Sequence, residues 1–105
     1  MEAMALTEGV YYILLSLGTP MHGYGIMQNT ERLSNGRIRL AAGTLYGALT
    51  TLLEKGWIQA LPGESSSRKK EYEITPLGRK AVLAEIARLR ELVKNGEAIT
   101  EGWES

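Results

Sequence analysis

A predicted β-hairpin in the middle of this chain constrains its fold most, because helical patterns lie on both sides of it. Trp57 to Leu61 is predicted to form one strand, and Pro62 to Ser67 has the composition of a turn. Arg68 to Ile74 returns as the second strand, where Tyr72 alternates with charged neighbours. A single hairpin among helices predicts a mainly α chain with a small β-hairpin.

Three helical segments are predicted before the hairpin. From Leu6 to Leu17, apolar residues recur at intervals of four, three and four, which is typical of one side of a helix. A second helix is predicted from Gly23 to Leu33 and a third from Ala42 to Lys55, with Gly56 just past its end. Arg37 to Leu40 alternates and predicts a short strand. The buried stripe of the third helix is predicted to contain Leu45, Leu49, Leu52 and Leu53.

The last helix is predicted to begin at Thr75 and Pro76, because threonine is a good N-cap and proline is favoured at the first helical position. It is predicted to continue to about Lys94, and the remaining polar residues, 95–105, are predicted to be loosely held. The order is therefore helix, helix, strand, helix, hairpin, helix. Three helices followed by a two-stranded hairpin are typical of a winged helix-turn-helix.

The composition limits the chemistry that is open to the chain. Its 105 residues predict one domain, and the absence of cysteine excludes a disulfide framework, a thiolate zinc site and a thiol redox switch. The longest apolar run, Val10 to Leu17, is far shorter than the ~20 residues needed to cross a bilayer. No Lys or Arg precedes it, as a signal peptide would require. We therefore expect a cytoplasmic protein that does not insert into a membrane.

No group of residues forms a recognisable catalytic or metal-binding motif. His22 is the only histidine and is predicted to be a helix-start residue. Glu71 and Glu73 alternate on the predicted strand without a nucleophile or second base in any such motif. Gly23 and Gly25 lack the spacing and the lysine of a phosphate-binding loop. The chain is therefore predicted not to be an enzyme and to need no cofactor or metal ion.

Two surfaces are candidates for function, the outward face of the third helix and the tip of the hairpin. In a winged helix the third helix enters the major groove and the hairpin lies along the backbone or minor groove. Small and hydroxylated residues let a helix sit deep in a groove, and flexible cations neutralise phosphates. The alternative is that both are ordinary solvated surfaces. The helix face comprises Gly43, Gly47, Thr50, Thr51 and Glu54, with Thr44 and Tyr46 at its margin; the cations are Arg68, Lys69 and Lys70.

Four segments of the chain resemble the PadR-type transcriptional regulators in their order and spacing, over about residues 6–94. They are HGYGI from His22, GTLYGAL from Gly43, LEKGWI from Leu53, and RKKEYEITPLGR from Arg68. The resemblance implies a winged-helix DNA-binding homodimer, usually a repressor, of the short form with a single C-terminal dimerisation helix. Its parts would be a DNA-binding domain over 1–76, the dimerisation helix over 77–95 and a flexible tail over 96–105.

The resemblance also implies where DNA would be contacted. The second helix would lie against the DNA backbone, the third in the groove, and the hairpin tip would form the wing. The predicted contacts are Tyr24 on the second helix, Thr44, Tyr46 and Thr51 on the third, and Arg68, Lys69 and Lys70 on the wing. Thr51 is included because of its position on the helix, whereas the others are implied by the resemblance.

Two narrow apolar seams predict a dimer interface on grounds independent of the resemblance. The last helix repeats apolar residues at four, three and four, as paired helices do, and the first helix has the same spacing. The alternative is that both helices pack only within the monomer. The predicted interface residues are Val10, Ile13 and Leu17 on the first helix and Val82, Ile86, Leu89 and Val93 on the last.

The predicted partners are double-stranded operator DNA and a second copy of the chain. Some members of the family sense planar drugs between aromatic side chains of the last helix, but this chain has no aromatic residue between Leu77 and Lys94. A small-molecule inducer, if one exists, is therefore unidentified. The competing hypothesis is a winged-helix protein-interaction module that does not bind DNA, which the balance of 12 basic and 12 acidic residues favours.

Overall fold

Four α-helices and three short β-strands form the part of the chain that the structure, a computed structural model, describes: residues 5–62 and 70–103. In chain order they are α1 (Glu8–Ser16), β1 (Met21–His22), α2 (Gly23–Leu33), α3 (Ala42–Glu54), β2 (Ile58–Ala60), β3 (Glu71–Ile74) and α4 (Pro76–Thr100). The predicted class, mainly α with a small β-hairpin in winged-helix order, is confirmed. The predicted flexible turn lies largely outside the described residues.

Side chains just before three of the helices fix where those helices begin. Thr7 Oγ1 accepts a hydrogen bond from Val10 N at 3.1 Å, and Thr75 Oγ1 accepts one from Gly78 N at 3.1 Å. His22 does the same for α2, because its Nδ1 accepts from Gly25 N at 3.2 Å. N-caps of this kind typically contribute about 1 kcal/mol each. The prediction of His22 as a helix-start residue is confirmed.

The three strands form one antiparallel sheet in the order β1-β3-β2. Ile58 pairs with Ile74 and Ala60 with Tyr72, which sets the register of the hairpin. On the other edge of β3, Met21 pairs with Tyr72 and His22 with Glu71. The two residues immediately before α2 therefore tie the start of that helix to the hairpin.

The prediction of a strand at Arg37 to Leu40 is wrong, and the third strand lies at β1 instead. The chain turns sharply after α2, where Asn35 and Gly36 adopt positive φ angles of 54° and 81°. The amide of Ile38 then donates to Ser34 Oγ at 2.8 Å, and that of Arg37 donates to Ser34 O at 3.1 Å. Backbone donors that bond to a turn residue are not available to a β-ladder.

One apolar core lies between the first three helices, the sheet and the first turns of α4. Leu53, which was predicted in the buried stripe of α3, is 38% exposed because it turns to the flank of the helix, and that prediction is wrong. The other three members of the stripe are buried as predicted. The core residues are Ile13, Leu14, Leu17, Ile26, Leu45, Leu49, Leu52, Ile58, Tyr72, Ile74 and Val82.

The junction between β3 and α4 is tightly bonded. Only Thr75 separates the two elements; its backbone N–H donates to Trp57 O at 3.0 Å and its hydroxyl donates to Gly56 O at 2.7 Å. At Gly78 a Cβ atom would lie 2.1 Å from Trp57 O, so only glycine allows α4 to pass this close to the backbone before β2. The base of α4 is thereby fixed to the hairpin.

Helix α4 is long and leaves the body of the domain. Its 25 residues span about 37 Å at 1.5 Å per residue. The stretch of α4 from Pro76 to Glu85 includes buried residues, whereas every residue from Leu89 to Trp103 is exposed in the protomer. The predicted end at Lys94 is wrong, because the helix continues to Thr100 through the segment predicted to be loosely held. None of the described helices is both long and apolar enough to span a membrane.

Candidate nucleic-acid interface

The outward ridge of α3 consists of small and polar residues. With 3.6 residues per turn, the positions directly opposite the buried stripe are those spaced three or four apart on the far side of the helix. They are Gly43, Gly47, Thr50 and Glu54, and all four are exposed. Thr44 and Thr51 lie on one flank of this ridge, and Tyr46 lies on the other; all three are exposed. The predicted contacts on α3 are therefore accessible to a partner.

The two glycines of the ridge have no packing role within the described protomer. A Cβ atom built at Gly43 or Gly47 meets no atom within 4 Å, and neither residue has a positive φ. Glycine inside a helix costs about 1 kcal/mol relative to alanine. Gly47, in the middle of α3, therefore lowers the stability of the helix without a packing role among the described residues.

The threonines on this face bond to their own helix. The Thr50 hydroxyl donates to Tyr46 O at 2.9 Å, and the Thr51 hydroxyl donates to Gly47 O at 3.3 Å. Each oxygen keeps lone pairs that accept from an external donor, and a hydroxyl can rotate to donate elsewhere. At about 100° per residue, Thr50 and Thr51 lie on either side of the line opposite the buried leucines. Sequence reasoning placed both on this face and selected only Thr51 as a contact.

The N-terminus of α3 has unsatisfied backbone donors. Its N-cap residue is Ala41, which makes no side-chain hydrogen bond to the first turn. The first N–H groups of a helix lack partners inside it and carry the positive end of the helix dipole. These N–H groups lie at the same end of the helix as Gly43 and Thr44, where they can donate to an anionic oxygen.

Tyr46 has a structural role as well as an exposed surface. It is 49% exposed, but a Cβ atom at Gly23 would lie 2.3 Å from the Tyr46 hydroxyl oxygen. The ring therefore packs on the bare backbone at the start of α2 and holds the two helices together. Tyr24, which is 63% exposed, follows on the same helix start. Burial, and to a lesser extent the neighbouring Tyr46 phenol, raises the pKa of Tyr72 beneath them.

Only part of the predicted wing is described. Lys70 is exposed and directly precedes β3, while Arg68 and Lys69 lie outside the described residues. Because His22 pairs with Glu71, the wing base with Lys70 sits next to the start of α2.

The cations at the α2–α3 connection are partly neutralised. Arg37 forms an ion pair with Glu8, and Arg39 lies 3.5 Å from a Glu31 carboxylate oxygen.

The seven predicted interface residues fall into two groups. Ile13, Leu17 and Val82 belong to the core of the protomer and expose at most 7% of their surface, so their assignment to an interface is corrected. A side chain without accessible surface cannot contact a second copy. Val10 and Ile86 are partly buried, whereas Leu89 and Val93 are exposed by 37% and 57%.

The outer half of α4 exposes more apolar surface than the sequence spacing suggested. Beyond Leu89 and Val93, the helix also exposes Leu92 and Ile99, and Trp103 follows it. A shallow groove runs along this part of the helix between Tyr11 and Glu97. The predicted seam stopped at Val93 because the helix itself was predicted to stop there.

A buried carboxylate ties α4 to the start of α1. Glu85 is only 4% exposed and accepts two hydrogen bonds from Arg88, Nε to Oε1 at 2.8 Å and Nη2 to Oε2 at 2.7 Å, and one from Leu6 N at 3.4 Å. The Arg88 hydrogen bonds lower the pKa of Glu85 below its ordinary value, although burial opposes them. Sequence reasoning missed this pair, because a glutamate on an amphipathic helix is usually solvated.

Three helices, a small antiparallel sheet and a hairpin that follows an exposed third helix define a winged-helix protein. The Transcriptional regulator PadR-like family model matches residues 10–84 of the chain. The chain belongs to this family of transcriptional regulators, as the resemblance predicted. Its members are regulators rather than enzymes, which confirms the corresponding prediction. Among the described residues no group of His, Asp or Glu could hold a metal ion.

Solved structures and one curated protein are similar to the chain. A PadR-like transcription factor from Bacteroides fragilis is 26% identical, with a TM-score of 0.71 and 87% of each chain covered. A PadR family regulator from Eggerthella lenta shares the fold at 23% identity and a TM-score of 0.71, covering 89% of this chain and 81% of that one. An uncharacterized 37.1 kDa protein in transposon TN4556 of Streptomyces fradiae is 40% identical over 60 residues, which are 57% of this chain and 16% of that protein's length.

Proposed function

We propose that this chain binds double-stranded operator DNA as a homodimer and represses transcription from the cytoplasm, with α3 in the major groove. The observation that carries the proposal is the ridge of α3, where Gly43 and Gly47 weaken an exposed helix without any contact in the protomer that needs them. The major groove is wide enough to admit a helix, and base edges lie at its floor. A helix backbone without Cβ atoms can approach that floor closely.

The groups around the ridge match the chemistry of DNA. The unsatisfied N–H groups at the start of α3 can bind a phosphate, as helix N-termini commonly do. Thr44 and Thr50 offer hydroxyls that reach phosphates or base edges. Lys70 at the base of the wing adds a cation, and each cation that meets a phosphate releases a counterion. Arg68 and Lys69 extend the same wing in sequence.

The homodimer accounts for the exposed apolar half of α4. An isolated protomer would leave Leu89, Leu92, Val93 and Ile99 in water along one projecting helix. Pairing two such helices removes this apolar surface from water, at about 25 cal/mol per Å². A two-fold dimer also presents two α3 helices, which read successive major grooves when they are roughly 34–36 Å apart.

The net charge of zero is the observation that favours the competing protein-interaction module. Ion pairs such as Arg37–Glu8 consume part of the basic charge near α3. A dimer offsets this, because it doubles the number of wing cations on one DNA duplex. The dimer proposal and the DNA proposal therefore depend on each other.

Selection from a pool of random DNA duplexes tests the proposal directly. The enriched sequence should contain two half-sites related by two-fold symmetry, with centres about 10–10.5 base pairs apart or a multiple of that spacing. Fluorescence anisotropy should then show a Kd for this duplex at least about a thousand-fold below that for a scrambled duplex of the same composition. Failure to enrich any sequence, or equal Kd values for both duplexes, would refute the proposal and favour the interaction module.

A further inference from the structure

The outer half of α4 carries a glycine at the centre of its exposed apolar face. At about 100° per residue, the face covers a third of the helix circumference, with Gly96 in the middle. A Cβ atom at Gly96 would meet no atom within 4 Å, and its φ is not positive, so nothing in the described protomer requires glycine there. Glycine does allow a second backbone to approach closely. The other members of the face are Leu89, Leu92, Val93 and Ile99.

Gly96 also lies midway along the exposed stretch of the helix. Every residue from Leu89 to Trp103 is exposed, and Gly96 is as far in sequence from one end as from the other. When two antiparallel copies pair over this whole stretch, their two-fold axis must pass beside the middle residue, where each helix meets the same residue of its copy. The residue without a side chain therefore occupies the point at which the two backbones come closest.

The shallow groove at the inner end of this face has room for an aromatic side chain. It has a volume of about 380 Å³ and lies between Tyr11 of α1 and the side chains of Leu89 and Val93 on α4. A dry cavity of about 150 Å³ is known to hold benzene. In an antiparallel pair centred on Gly96, the partner's Trp103 lies opposite Leu89, beside the groove. Trp103 is 69% exposed in the protomer, and buried tryptophans are frequent anchors of interfaces.

The charges beside the groove favour the antiparallel orientation. Arg90 and Lys94 line the groove, and Glu97 and Glu101 follow on the same side of the helix, nearer its end. In an antiparallel two-fold pair the same sides of both helices meet, so the cations of one copy lie beside the carboxylates of the other. A parallel two-fold pair would instead place each charge level with its own copy. Exposed ion pairs add little affinity, but they select the orientation.

We propose that two copies of the chain pair through antiparallel α4 helices that cross at Gly96, and that the groove of each copy takes up the partner's Trp103. This pairing rests on the homodimer of the proposed function and defines the position of its two-fold axis. It adds Tyr11 and Trp103 to the interface predicted from the sequence. The groove is incomplete without the second copy, because its occupant comes from there.

The chain has no cysteine, so single-cysteine variants can locate the axis. Packed helices have axes about 8–10 Å apart and Cα atoms about 2.3 Å from each axis, which places the two Cα atoms of residue 96 about 3.4–5.4 Å apart. Disulfides usually join Cα atoms about 4.4–6.8 Å apart. Gly96→Cys should therefore form a covalent dimer on mild oxidation. Leu83→Cys, exposed on a different face of α4, is the control and should not.

Leu89→Cys distinguishes an antiparallel from a parallel pair. In the proposed pair its copy lies about 20 Å away along the helix, so this variant should not link to itself. A parallel pair would place every residue of the face beside its own copy, and Leu89→Cys would then link as readily as Gly96→Cys. A Leu89→Cys protein that links to itself, or a folded, dimeric Gly96→Cys protein that stays unlinked, would overturn the proposal.

Tryptophan fluorescence tests the occupant of the groove. Trp57→Phe leaves Trp103 as the only tryptophan, because the chain has two. The emission maximum should lie at a shorter wavelength than in monomeric Leu89→Asp made in the same background, since the dimer removes the indole ring from water. Equal emission maxima in the dimer and the monomer would overturn the assignment of Trp103 to the groove.

Sedimentation of the unsubstituted chain separates the two levels of the argument. A monomer would refute the homodimer of the proposed function, and this pairing with it. A dimer in which Gly96→Cys stays unlinked would refute this pairing alone.

Discussion

Gly47→Ala should make the protein more stable and its DNA binding weaker. Gly47 lies in the middle of α3, and the added Cβ would meet no atom of the protomer within 4 Å. Alanine therefore gains its full helix-propensity advantage of about 0.8–1.0 kcal/mol with no steric penalty. For a domain of this size that corresponds to a rise in Tm of about 4 °C. The same methyl group projects from the ridge towards the proposed groove.

The loss of DNA affinity follows from the same geometry. If the backbone at Gly47 contacts the groove, the methyl group forces α3 away from the base edges or displaces a contact. A lost contact to a base typically costs about 1–3 kcal/mol, which is roughly a 5- to 150-fold rise in Kd. A variant that merely misfolds cannot produce this result, because its stability would fall along with its affinity.

Gly9→Ala on α1 is the control. Gly9 lies inside a helix, away from the ridge of α3 and from the outer half of α4, and a Cβ atom added there would lie no closer than 4.0 Å to its nearest neighbour, the Leu40 side chain. The substitution should not lower the Tm and should leave the Kd for DNA unchanged. Thermal unfolding followed by circular dichroism gives the stability, and anisotropy titration with the selected duplex gives the affinity. A Gly47→Ala protein that is stabilised yet binds the duplex as before would refute the placement of α3 in the groove.

Three further substitutions test other parts of the structure. Lys70→Ala should weaken binding to all duplexes alike and reduce the slope of log affinity against log salt by about one unit per wing, and an unaltered slope would remove Lys70 from the backbone contacts. Leu89→Asp should convert the dimer to a folded monomer in sedimentation, whereas Leu83→Asp, on a different face of α4, should not; a dimeric Leu89→Asp protein would move the interface elsewhere. Glu85→Gln should lower the free energy of unfolding at pH 7, since the pKa of Glu85 is lowered in the folded state. That contribution is complete above the ordinary value of 4.5 and fades as the pH falls through the lowered folded pKa, so a difference from Glu85→Gln that stays constant into the acid range contradicts it.

The helix starts were predictable because their signals are local. Thr75 and Pro76 lie beside the turn that they cap, and His22 bonds to an amide three residues away. Strand β1 was not predictable in this way, since two residues carry no alternation and pair only because the far strand β3 offers an edge. Arg37 to Leu40 shows the converse. Its polar and apolar residues alternate as in a strand, but no strand edge is available for it to pair with.

The packing partner of a helix face could be predicted from the sequence only where a single partner is available. The exposed ridge of α3 follows directly from its leucines, which bury the opposite side. For α1 and α4, the three-four spacing predicts an apolar face but not whether the face packs within the chain or against a copy. Ile13 and Leu17 turned inwards, whereas Leu89 and Val93 did not. The open apolar pocket lined by Leu6, Ala48 and Trp57 could not be predicted, because these residues come from distant parts of the chain.

The hydrogen-bonded junction at Thr75 couples the orientation of α4 to that of the hairpin. Thr75 donates through both its backbone and its hydroxyl to the segment before β2, and Gly78 leaves no gap above Trp57. A tilt of the helix must therefore turn the hairpin with it. Over a length of about 37 Å, a shift of roughly 3 Å at the far end of α4 corresponds to a rotation of about 5° at the base. In the proposed dimer, small changes in the angle between the two α4 helices would therefore rotate β2 and β3 of each protomer.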